Sequence, residues 1–198
     1  MIYDQIRRIF NENNGIVRTA DVTRSGIPYY YLDKLIREEK VLRIKRGIYQ
    51  WIGNGEKNEV EIIFRLFPQA VLYVESALYY YGYTDRTPDC WHLAVKKDIN
   101  KRKSNITYPV IKLYYIEPNF LKIGVTEGHI NSYRVNVFDR DKTICDILRY
   151  SNKLDREIVN KAIKSYINDP KKNLARLLDY SKQLRVYKKV KLWIGVWL

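Results

Sequence analysis

The sequence predicts an α+β protein: an N-terminal winged helix-turn-helix joined to a mixed α/β domain that ends in a basic helical bundle. Three patterns carry that prediction. Helical spacing of apolar residues, punctuated by Gly15 and Gly26, gives way to a short cationic hairpin, "VLRIKRGIYQWI" (Val41–Ile52). The middle of the chain alternates short strand-like and helix-like runs, broken by Pro and Gly. From Asp139 onward the pattern is helical, with a strongly cationic polar face.

Taken in order, Ile2, Ile6, Ile9 and Phe10 lie at helical spacing, and Gly15 suits a left-handed cap after them. Thr19 is placed to cap a short second helix that Gly26 ends. Pro28 suits the first turn of a third helix, "PYYYLDKLIREEK", with Leu32, Leu35 and Ile36 as its buried stripe. Gly47 stands where the hairpin turn needs a positive φ. Helix, short helix, turn, helix and two-stranded wing make residues 1–55 one domain, followed by a linker over Ile52–Asn58.

Residues 56–138 read as an α+β part and 139–198 as a helical part of a second domain. "EVEIIFRLFP" is a helix stopped by Pro68, and "ESALYYYG" a helix ended by Gly82. "WHLAV", "VIKLYYIE", "FLKIGVTE" and "INSYRVNVF" are strand candidates broken by Pro118, Gly124 and Gly128, expected in a mostly antiparallel sheet. The loop "KKDINKRKSN" separates the first two. In the last part Ile144, Ile147 and Leu148 share a face. Asp155 caps one helix, and Asp169 with Pro170 starts the next. Val186, Val190, Trp193 and Trp197 are expected to share a face of the last helix.

Net charge is +14 over 198 residues, which points to a polyanionic partner. It is uneven: residues 1–55 carry +4, 56–148 carry +1 and 149–198 carry +9. Cys90 and Cys145 sit in apolar runs and read as buried free thiols, which suits a reducing cytoplasm. No apolar run approaches the ~18 residues that a bilayer crossing needs, and the N-terminus has no signal-peptide core.

A helix-turn-helix places the second helix of its pair in the DNA major groove. On the third helix the face opposite the buried stripe holds Tyr30, Lys34 and Arg37, with Tyr29 near its N-terminus. Arg18, Thr19 and Arg24 flank the short helix, where phosphate contacts belong. Three like charges at the wing, Arg43, Lys45 and Arg46, repel one another and make sense beside a DNA backbone. In the basic end the candidate contacts, to an acidic protein surface, a nucleotide or nucleic acid, or further along the DNA, are Lys161, Lys164, Lys171, Lys172, Arg176, Lys182, Arg185, Lys188 and Lys189.

Catalytic signatures are missing. His92 and His129 have no Cys or His at metal-ligand spacing, and there is neither a phosphate-binding Gly-rich loop nor a nucleophile elbow. No metal or cofactor is expected. A metal-dependent nuclease would need some of Glu75, Asp89, Asp139, Asp141 and Asp146 together, and helix capping is the commoner use of such carboxylates. A winged-helix transcription factor with a ligand-sensing second domain is the other alternative.

Two stretches, "GIVRTADVTRSGIPYYYLDKLIREEKVLRIKRGIYQW" and "DRDKTICDILRYSNKLDREIVNKAIKSYINDPKKNLARLLDYSKQLRVYKKV", resemble the AbiEi antitoxins of type IV abortive-infection toxin–antitoxin systems. "SALYYYGYTD…WHLAV" between them resembles the family's middle. Lys142 is a departure, since Arg is more usual there; the charge stays but bidentate pairing is lost. The resemblance implies two activities and no catalysis. The winged helix would bind inverted repeats in its own promoter as a repressor. The remainder would neutralise a nucleotidyltransferase-like toxin, with or without a lasting complex. Inverted repeats imply a monomer or weak dimer that pairs on DNA.

Overall fold

The computed structural model describes residues 2–52, 58–98 and 106–197. They form two compact units, Met1–Ile62 with Lys101–Val110, and Ile63–Asn100 with Ile111–Leu198. The expected boundary at 55/56, most of the linker over Ile52–Asn58 and most of the loop "KKDINKRKSN" lie outside the described residues.

In the first unit, α1 (Ile2–Glu12) buries Ile6 and Phe10, four residues apart on one face. Gly15, at φ 83°, ends it and donates its N–H to the Phe10 carbonyl at 2.6 Å. α2 (Thr19–Arg24) buries Val22, and α3 (Tyr29–Arg37) buries Leu32 and Leu35, with Ile36 only half-buried. Thr19 is the first residue of α2 rather than its cap. The Asp21 carboxylate reaches back to accept the Arg18 N–H at 2.8 Å. Pro28 precedes α3, fixing extended backbone just before the helix.

β2 (Val41–Lys45) and β3 (Ile48–Trp51) form the hairpin, with Gly47 at φ 80° in its turn. Their register shifts between Arg43 and Lys45, a bulge that leaves Ile44 wholly buried. A third strand, β1 (Ile16–Arg18), pairs antiparallel with β3, giving the order β1-β3-β2. The sequence predicts no strand there, because three residues are too few to show alternation. β2 is therefore an edge strand. A segment far along the chain covers it: Thr107 donates both its N–H and its hydroxyl to the Ile44 carbonyl, each at 2.8 Å.

The second unit is built on a sheet of β4 (Val71–Leu72), β5 (Trp91–Lys96), β6 (Ile111–Ile116), β7 (Val125–Ile130) and β8 (Tyr133–Phe138). Their order is β6-β5-β4-β8-β7. β4 pairs antiparallel with β5 and parallel with β8, β5 pairs parallel with β6, and β7 pairs antiparallel with β8. The sheet is thus evenly mixed, not mostly antiparallel. The central β4 and β5 are buried runs, as strands covered on both faces are. Gly128 lies inside β7 instead of breaking it, because the Tyr80 ring occupies the space a Cβ would need. "FLKIGVTE" is not one strand: Pro118–Leu121 is a short helix, and Gly124, at φ 66°, turns the chain into β7.

α4 (Glu59–Leu66) and α5 (Val74–Tyr81) precede β4 and β5, and α6 is the Pro118–Leu121 helix. α7 (Arg140–Tyr150) is the central helix, packed by α5, α8 (Arg156–Asn168), α9 (Leu174–Gln183) and α10 (Tyr187–Ile194). α9 begins four residues after Pro170, capped by Asn173, whose side chain accepts the Arg176 N–H at 2.9 Å. Asp169 is engaged elsewhere, by the Tyr83 hydroxyl and the Arg140 guanidinium, both at 2.7 Å. α7 carries a polar network through the core. Asp141 accepts from the Tyr166 hydroxyl (2.7 Å), the Asn173 N–H (2.9 Å) and Arg176 Nε (2.5 Å). Lys142 pairs with Asp146, both about 1% exposed, and its ammonium lies 4.2 Å from the Phe138 ring centre. Removing one partner of such a pair leaves a buried charge and costs about 3–5 kcal/mol.

Candidate nucleic-acid interface

The first unit gathers the N-terminal candidates by two local contacts. Thr19 donates its N–H to the Gly47 carbonyl at 3.0 Å, so the start of α2, with exposed Arg18 beside it, meets the hairpin turn that bears Arg46. The Tyr29 and Tyr49 hydroxyls share a 3.3 Å hydrogen bond, which ties the N-terminus of α3 to β3 opposite Arg43. That bond, with burial, raises the Tyr29 hydroxyl pKa. Tyr29 is 41% exposed and Tyr30 64%, large aromatic surfaces facing water.

Lys34, Arg37, Arg24, Arg43 and Arg46 are exposed, while Lys45 is half-buried. Their ion pairs are local and wet. Arg37 meets Asp33, Lys34 meets Glu38 at 4.0 Å, and Arg24 meets Asp21 at 3.9 Å. Lys34 also lies over the Tyr3 ring, 5.5 Å from its centre. Exposed pairs of this kind are worth about 0–1 kcal/mol each, so a phosphate replaces the carboxylate at little cost. Chemically, the face offers movable cations and two aromatic side chains along one helix and one hairpin.

The nine basic candidates of the second unit do not form one class. Lys164, Lys171, Lys182, Arg185 and Lys188 are exposed. Lys161 is paired with Asp85, and Lys172 Nζ reaches the Asp169 carbonyl at 3.5 Å. Arg176 holds Asp141 and lies 3.7 Å from Asp139, so it fastens α9 to α7. Lys189 caps the end of α7, donating to the carbonyls of Leu148 (2.9 Å) and Arg149 (3.2 Å) and to Ser151 Oγ (3.2 Å). Two further residues escape sequence reasoning. Arg149 reads in sequence as an ordinary helix-end cation, and Thr107 gives no signal because its contact lies 63 residues away.

The carboxylates that a nuclease would need are dispersed or occupied. Asp139 caps α7, accepting from the Lys142 N–H (2.8 Å) and the Tyr180 hydroxyl (3.1 Å), and burial raises its pKa. Asp141 and Asp146 hold the network above, Asp89 is exposed, and Glu75, its pKa raised by burial, lies 3.7 Å from His92 Nε2. Among the described residues no three His, Cys, Asp or Glu side chains are grouped to hold a metal ion. None of the described helices is long and apolar enough to cross a membrane. Cys145 is buried and Cys90 half-buried, both as free thiols.

Residues 4–50 match the model of a family described as transcriptional regulator, AbiEi antitoxin. The N-terminal unit is similar to that family over this stretch. The AbiEi match covers α1 to the hairpin and ends at residue 50. Among solved structures the chain is similar to the crystal structure of the RV2827C protein from Mycobacterium tuberculosis. Identity is 13%, the alignment covers 93% of this chain and 79% of that one, and the TM-score is 0.47. Similarity at that level says nothing of function. Comparison with curated proteins gives no match.

Proposed function

We propose that the chain is the antitoxin and autorepressor of an abortive-infection operon. The observation that carries the reading is the cationic face made by α3, the start of α2 and the hairpin, in the segment that matches AbiEi regulators. As a winged helix-turn-helix, the unit lays α3 in the major groove, with Tyr29, Tyr30, Lys34 and Arg37 toward the bases and backbone. Arg18, Thr19, Arg24, Arg43, Lys45 and Arg46 hold phosphates on either side. Two copies occupy an inverted repeat in the operon's own promoter.

The second unit neutralises a nucleotidyltransferase-like toxin, with or without a lasting complex. Its exposed cations Lys164, Lys171, Lys182, Arg185 and Lys188 are the candidate contacts, since their charges face water. The test is expression of the chain in cells carrying a reporter under its own promoter and, separately, the adjacent toxin gene. The native chain should silence the reporter and restore growth. The double variant Lys34→Glu/Arg37→Glu should release the reporter and still restore growth. Loss of both activities in a folded variant would contradict the division of labour.

A further inference from the structure

We propose that the second unit holds a nucleotide site in the cleft between the end of α7 and the start of α10. The cleft has a volume of about 690 Å³, the size of a small organic ligand site. Four cations line it, Arg149, Arg185, Lys188 and Lys189, and no carboxylate does. Arg149 and Lys189 are half-buried, and the groups they meet are neutral: Arg149 donates to the Leu184 carbonyl at 2.5 Å, and Lys189 to two carbonyls and a serine hydroxyl. Half-buried positive charge without a counter-charge is costly, and an anion offsets that cost.

The backbone is shaped around the same place. Arg185, between α9 and α10, sits at φ 58°, a left-handed conformation seldom held by side chains of its kind. It closes α9 in a Schellman turn, in which the Val186 N–H donates to the Ser181 carbonyl at 2.8 Å and the Arg185 N–H to the Lys182 carbonyl at 3.1 Å, and so sets Arg185 at the mouth of the cleft. α10 starts at Tyr187 without a side-chain cap, and its first turn lines the cleft.

The rest of the wall selects among anions. Of its apolar residues Leu184 and Val186 are buried, whereas Phe120 and Tyr187 are half-buried aromatic rings that a bare phosphate would leave wet. Lys182 and Lys191 lie 5.9 and 5.6 Å from the Tyr187 ring centre and keep the rim cationic. A ligand that satisfies both halves carries phosphates for the four cations and a flat ring for Phe120 and Tyr187. That chemistry is a nucleoside polyphosphate. The site lies within the second unit, and its test does not depend on operator binding.

The experiment is calorimetric titration of the full chain with ATP, with inorganic tripolyphosphate and with a scrambled DNA duplex, at physiological salt. ATP should bind saturably at one site. Arg185→Ala and Lys188→Ala should each weaken it about tenfold or more, the worth of a charge-assisted hydrogen bond. Phe120→Ala should reduce ATP to the affinity of tripolyphosphate. Arg185 and Lys188 are both exposed, so these two variants do not threaten the fold. No saturable ATP binding would overturn the proposal, as would equal binding of ATP and tripolyphosphate that Phe120→Ala leaves unchanged. Displacement of ATP by the duplex, with Lys188→Ala weakening both alike, would also overturn it and assign the cleft to DNA backbone.

Discussion

His92 lies on β5, 4% exposed, with Nδ1 sharing a 3.1 Å hydrogen bond with the Tyr114 hydroxyl and Nε2 3.7 Å from a Glu75 oxygen. Burial first, and the charge of Lys112 second, bring its pKa from 6.5 down to about 4. The unfolded chain therefore binds the proton more readily than the folded one. Stability from this group is complete above about pH 6.5 and is lost as pH falls toward 4. Between about pH 7.5 and pH 5 the loss is about 2 kcal/mol. Glu75, raised by burial, pulls the other way over part of the range, so a variant is the proper control. His92→Gln should flatten the fall in urea midpoint between those pH values; an equally steep fall in the variant would place the effect elsewhere. Single residues are legible in sequence where their partners are local. Asp155 caps α8 as its position suggests, accepting the Glu157 N–H at 2.9 Å. Asp169 and Pro170 also look like a helix start, yet the helix begins at Leu174. Tyr83 and Arg140 claim the Asp169 carboxylate, and both are distant in sequence.

Elements follow the same division. α1, α3, the hairpin and α7 are amphipathic or capped strongly enough to be found from periodicity alone. β1, and the parallel pairings of β4 with β8 and β5 with β6, depend on partners far off in the chain, which periodicity does not encode. Trp197, expected to share a helix face with Val186, Val190 and Trp193, is 50% exposed because α10 stops at Ile194 and the chain tightens into a 3₁₀ turn. The hairpin is the element whose function is most open to test. Its bulge and its cover by Thr107 fix the strand that carries Arg43 and Lys45. With both Lys45 and Arg46 on phosphates, Lys45→Glu/Arg46→Glu should weaken operator binding and lower the log–log salt slope by about 0.9 for each phosphate released. A weaker complex with an unchanged slope would mean that the hairpin does not lie on the backbone.

At the scale of the whole molecule, charge and structure divide differently. Residues 149–198 carry +9 and residues 1–55 carry +4, so net charge alone would place the nucleic-acid interface at the C-terminal end. Part of that C-terminal charge is engaged internally, on buried Asp141 and the carbonyls that end α7. The N-terminal cations stay in weak, exposed pairs. On the proposed function, the N-terminal face reads a sequence and does not merely attract polyanions. Fluorescence anisotropy of the full chain with its own upstream DNA and with a scrambled duplex, at low and physiological salt, tests this directly. Binding to the upstream DNA should persist at physiological salt while the scrambled duplex is released. Equal binding to both duplexes, lost together as salt rises, would contradict it.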